Sequence, residues 1–121
     1  MPEAAVTIPH SHVHVVESKP VGRTLQVWVA EPVAGFQPLP PGPRPVLTVL
    51  DADLFFGTAV ETARLMSQLY GELPPLLVVG IAYGEEPGVQ GQLRTRDFTP
   101  SDDPGYDRMA ASVPGFEPLL P

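Results

Sequence analysis

Apolar residues fall into runs of different period along this chain, and each period predicts an element. In residues 24–30, Leu25, Val27 and Val29 alternate with Gln26, Trp28 and Ala30, the period-two pattern of a half-buried strand. A second β-rich run covers His12 to Glu17, and the segment between them holds Pro20 and Gly22, residues that favour turns. Residues 1–30 therefore read as an antiparallel hairpin. Val46 to Leu50 and Leu76 to Ile81 are short, nearly unbroken apolar runs, as in strands covered on both faces. Between them Ala59, Ala63, Met66 and Tyr70, joined by Leu65 and Leu69, recur at helical spacing. Thr58 with Glu61 three positions later predicts a capping box at the helix start, and Gly71 predicts its end.

A strand, a helix of this length and a second strand predict a right-handed parallel crossover. The expected fold class is thus α/β, a hairpin followed by a βαβ unit over residues 46–83. Proline marks what flanks that unit. Residues 31–45 carry Pro32, Pro38, Pro40, Pro41, Pro43 and Pro45, which excludes helix interior and sheet centre and leaves an extended connector. Prolines and glycines are also scattered through residues 84–121, which predicts a long loop.

Composition narrows the function classes. A chain of 121 residues with 43% hydrophobic content supports one domain with a modest core. A formal charge of −7 argues against nucleic acid as a partner. The absence of cysteine excludes disulfides, thiolate metal sites and cysteine nucleophiles. The N-terminal residues lack the basic start and long apolar stretch of a secretory signal, and no apolar run approaches the roughly 20 residues that span a bilayer. The expectation is a soluble cytoplasmic protein without membrane contact.

Three groups of residues are candidates for chemistry. His10, His12 and His14 alternate, so on a strand all three would share a face. Neighbouring same-face side chains some 7 Å apart spread too far for three imidazoles to converge on one ion, so no native metal centre is expected. Asp51 and Asp53 follow the first buried run, where a carboxylate pair can hold a hard cation, act as a nucleophile or shape a loop. The apolar surroundings, with Phe55 and Phe56, favour loop shaping. Arg94, Arg96 and Asp97 can pin a loop through ion pairs or line a substrate entrance, and pinning is favoured. Trp28 and Tyr83 read as packing residues.

The run from Pro45 to Asp53 with Phe55 and Phe56, then Val78 to Tyr83, then Arg94 to Pro100, resembles the N-terminal part of the esterase D-like and siderophore-esterase-like family of α/β-hydrolases. The resemblance covers most of the chain from about Thr7 and includes the segment Val27 to Pro32. It implies a serine hydrolase of small ester substrates, without a cofactor, whose nucleophile elbow, acid and histidine lie further along. In this chain it implies one oxyanion donor, from backbone N–H groups around Ala52 and Asp53. Ser112 lies in no nucleophile elbow, and the three histidines lie at the wrong end to serve as the base. The chain is therefore expected to be a hydrolase fragment, a partial α/β-hydrolase fold inactive alone and able to self-associate through an open sheet edge. The alternative is a small α+β protein that binds a metal or ligand without catalysis.

Overall fold

The computed structural model describes residues 2–99 and 104–112. Its elements are β1 (Ser11–Ser18), β2 (Arg23–Ala30), β3 (Val46–Val49), α1 (Ala52–Gln68), β4 (Leu77–Ala82), α2 (Pro87–Phe98) and α3 (Pro104–Ala111). The four strands form one mixed sheet in the order β1-β2-β4-β3. β1 and β2 form the expected hairpin, turned at Gly22, whose φ of 76° places it in the left-handed region. β3 and β4 pair in parallel, with α1 as the crossover between them, and β4 also pairs antiparallel with β2. The expected α/β class and the strand-helix-strand unit are both present. No helix among the described residues is long and apolar enough to cross a membrane.

The core lies between α1 and one face of the sheet. Ala52, Phe56, Val60 and Ala63 line the buried side of the helix and meet Ala30, Val78 and Ala82, with Trp28, Val49 and Ile8 at the margin. The Trp28 and Phe56 rings meet edge to face at 5.5 Å, a favoured aromatic geometry. Gly80 sits beneath this contact. A Cβ there would lie 2.7 Å from both Ala52 Cβ and a Phe56 ring carbon, so the helix rests on the strand only because residue 80 has no side chain.

Four expectations change. The helix begins at Ala52, not Thr58, so Asp53, Phe55 and Phe56 stand in its first turns rather than in a loop. Thr58 and Glu61 are mid-helix and form no capping box, because the start is set by Asp51, which adopts φ 54° and accepts the Leu54 and Phe55 N–H groups on its carbonyl. Gly71, at φ 65°, does stop the helix, with the Glu72 N–H returning to the Met66 carbonyl at 2.8 Å. The buried stripe runs through residues 52, 56, 60 and 63, so Leu65, Leu69 and Tyr70 are exposed.

Neither β3 nor β4 is covered on both faces. Paired residues share a face, so the register puts Leu25, Val27 and Val29 with Val79, Ile81 and Val46 on the side away from α1. No described element packs there, and Val46 is 57% exposed. An unbroken apolar run cannot distinguish a strand buried on both faces from one with a bare face. Finally, residues 84–121 are not one long loop, since α2 and α3 occupy much of the described part. Pro87 stands at the first turn of α2, where its missing N–H costs nothing.

Gly80→Ala is expected to destabilise the chain by about 1–3 kcal/mol through overpacking against Ala52 and Phe56. Phe56→Ala should cost about 3–5 kcal/mol by opening a cavity under Trp28. Urea unfolding of both variants against the parent chain measures these differences.

Candidate functional site

The ends of β3 and β4, the first turn of α1 and the start of β2 meet at one edge of the sheet. This is the carboxyl edge of the parallel pair, where open α/β sheets hold their ligands. Asp53, in the first turn of α1, uses both carboxylate oxygens there. Oδ1 accepts the Tyr83 N–H at 2.9 Å and Oδ2 accepts the Gly84 N–H at 2.8 Å. A carboxylate in this position also complements the positive end of the helix. Gly84, at φ 71°, allows the turn, and any side chain on it would overlap the Gln26 amide.

Asp51 is tied on the other side. Its Oδ1 accepts the Arg94 Nε–H at 2.8 Å, and its side chain is 12% exposed. Asp97 of α2 accepts a hydrogen bond from Arg23 and, at 2.8 Å, another from the Tyr83 hydroxyl. Arg96 adds a longer contact to the same carboxylate at 3.4 Å. The Arg23 guanidinium lies 4.7 Å from the centre of the Tyr83 ring, within cation–π range. Burial pushes the Tyr83 hydroxyl up to about 12, helped by its hydrogen bond to Asp97 and that carboxylate's charge, against the opposing charge of Arg23.

Two carboxylate–guanidinium links, Asp51 to Arg94 and Asp97 to Arg23, thus fasten α2 to the sheet edge. Both aspartates at the end of β3 are engaged in fixing geometry. Between them lie the first two amides of α1. The initial N–H groups of a helix lack intrahelical acceptors. Those of Leu54 and Phe55 are satisfied by the Asp51 carbonyl, which leaves the amides of Ala52 and Asp53 as the donors at the helix start.

The arrangement has relatives. No protein-family profile matches the sequence. Ferri-bacillibactin esterase BesA of Bacillus subtilis (strain 168) is 34% identical over 97 residues, which are 78% of this chain and 32% of that protein. The crystal structure of the BES protein from Bacillus cereus superposes with a TM-score of 0.69 at 29% identity, over 84% of this chain and 38% of that one. Over most of its length the chain is similar to siderophore esterases. It corresponds to the N-terminal portion of such esterases and spans about a third of the length of the relatives it matches. Siderophore hydrolase EstB from Aspergillus nidulans shares the fold, with a TM-score of 0.58 at 22% identity over 78% of this chain and 33% of that one.

The structure brings Asp51, Asp53, Arg94 and Asp97 to one edge and adds Arg23 and Tyr83 to them. Arg23 carries no signal in sequence, lying between the two strand runs there, and the structure makes it the first residue of β2. Tyr83, read as packing, is recognisable afterwards by its place directly after the second strand of the parallel pair. Phe56 belongs to the core, while Phe55 is 54% exposed. The histidines do not share one strand face. His10 precedes β1 with φ 56°, and only His12 and His14 stand together, their rings 6.3 Å apart. His12 lies 3.8 Å from the Glu31 carboxylate. Among the described residues no group of three or more histidine, aspartate or glutamate side chains is placed to hold a metal ion. The Ser112 hydroxyl follows α3 and donates to the Met109 carbonyl at 2.6 Å.

Because the folded chain favours neutral Tyr83, its contribution to stability is complete below pH about 10, the ordinary tyrosine value. That contribution is lost as pH rises through about 12. Ultraviolet difference titration should therefore find Tyr83 ionising near 12, and Asp97→Asn should bring it down.

Proposed function

We propose that this chain forms the N-terminal part of a serine hydrolase that cleaves the carboxylic ester bonds of a siderophore. The single observation carrying this reading is the relationship to ferri-bacillibactin esterase combined with the free amides of Ala52 and Asp53 at the end of β3. On this reading the sheet is the opening part of an α/β-hydrolase fold. A serine attacks the ester carbonyl, a histidine moves its proton to the leaving alcohol, and an acid orients the histidine. None of those three groups has a counterpart in this chain. Its part is to receive the negative charge that develops on the carbonyl oxygen, which fixed N–H dipoles stabilise without reorganising.

The neighbouring charges suit that part. Asp53 directs its carboxylate into the turn after β4, where two backbone N–H groups hold it, and Asp51 is paired with Arg94. Arg94 and Arg96 stand partly exposed at the same edge and line the approach for an acidic substrate. The protein acts in the cytoplasm on a small ester.

The chain alone should not hydrolyse p-nitrophenyl acetate or ferri-bacillibactin above buffer. Joined to the remaining portion of the Bacillus subtilis relative, and shown folded by circular dichroism and gel filtration, it should hydrolyse both. Turnover by the isolated chain that disappears in Ser112→Ala would refute the proposal, as would a folded but inactive chimera.

A further inference from the structure

β1 forms one margin of the sheet, and nothing among the described residues pairs with its outer edge. Sheet edges of this kind are usually guarded by lysine, proline or a bulge. Ser11–Ser18 contains neither lysine nor proline, and its register with β2 runs unbroken through eight residue pairs, with no bulge. The strand also extends beyond the cover of α1. Val13 is 57% and Val15 68% exposed, although both face the side on which the helix packs.

We propose that the outer edge of β1 pairs antiparallel with β1 of a second copy, continuing the sheet across a two-fold axis. The hydrogen-bonding phase of the strand restricts how this can occur. The Glu31 N–H donates to the His10 carbonyl at 3.0 Å, and alternate residues of an antiparallel strand bond to alternate sides. His12, His14 and Val16 therefore bond to β2, while the amides and carbonyls of Ser11, Val13, Val15 and Glu17 face outward. A two-fold axis through an antiparallel pair sets residues of the same face against one another. Two registers keep seven of the eight residues of β1 in the contact, centred on His14 or on Val15.

The register centred on His14 is the better one. It sets Val13 against Val15 of the second copy and Val15 against Val13, so that the exposed apolar groups of β1 cover each other. It also sets Glu17, the one carboxylate of the strand, against Ser11. Centring on Val15 instead places Glu17 against Val13 and strands a charge on an apolar group. The exposed apolar groups along this edge thus match a second copy of the same strand, with no charge set against them. The chain's net charge of −7 opposes approach at long range, so added salt favours the pairing.

The absence of cysteine makes the register directly readable. In the proposed dimer, His14 opposes its own symmetry mate as a non-hydrogen-bonded pair, with Cα atoms about 4.5 Å apart, within disulfide range. The two copies of His12 lie four residues out of register, about 14 Å apart at about 3.4 Å per residue. The parent chain should therefore show a mass twice 13.0 kDa in light scattering. His14→Cys should oxidise to a covalent dimer and His12→Cys should not. Val15→Lys, at an exposed position that the monomer tolerates, should give monomer with an unchanged circular dichroism spectrum. A parent chain monomeric at every concentration would overturn the proposal. So would a dimer that survives Val15→Lys, or equal cross-linking at positions 12 and 14.

Discussion

The site depends on how closely α1 approaches β4, and Gly80 sets that distance. With Ala52 and Phe56 seated directly over residue 80, the first turn of the helix is held at the level of the strand ends. A bulkier residue would lift the helix and carry the amides of Ala52 and Asp53 away from the sheet edge. The left-handed conformation of Asp51 is the second half of the same constraint. It turns the chain from β3 into α1 within two residues and places its carbonyl to cap Leu54 and Phe55. Packing and backbone geometry thereby fix two amide dipoles in space with little help from the side chains around them.

The charged residues hold what lies above that edge. α2 contains Gly88 and Gly91 and has weak intrinsic helical preference, so its attachment through Arg94 and Asp97 matters more than its own propensity. Exposed ion pairs contribute only about 0–1 kcal/mol each. Here, however, Asp51 and Arg23 are largely buried, and Tyr83 joins Asp97 and Arg23 in a shared network. Its geometric effect is to keep both aspartates occupied. The end of β3, for which a cation site is one reading of the sequence, becomes a place where Asp51 is paired with Arg94 and Asp53 holds the Tyr83 and Gly84 N–H groups.

The hairpin and the crossover were legible because alternation in residues 24–30 and the two apolar runs are strong local patterns. The helix start was not. Asp51 and Asp53 look like loop residues, while Thr58 and Glu61 mimic a capping box, and the true start rests on the left-handed Asp51 and on the tertiary contact of Ala52 and Phe56 with Gly80. α2 was hidden by composition, since Pro87 and two glycines read as loop although proline fits a first helical turn. The Asp51–Arg94 and Arg23–Asp97 links join residues 43 and 74 positions apart. No local pattern carries such pairings, and the bare second face of the sheet was equally invisible to an apolar run.

On the proposed function, the amides of Ala52 and Asp53 form part of an oxyanion site. The direct measurement is the amide proton resonance of each α1 residue in the active chimera, before and after a phosphonate ester inhibitor labels its serine. Downfield shifts confined to Ala52 and Asp53 are expected, with Leu54 and Phe55 unmoved because the Asp51 carbonyl already holds them. Unshifted amides at residues 52 and 53 in a fully labelled protein would contradict it.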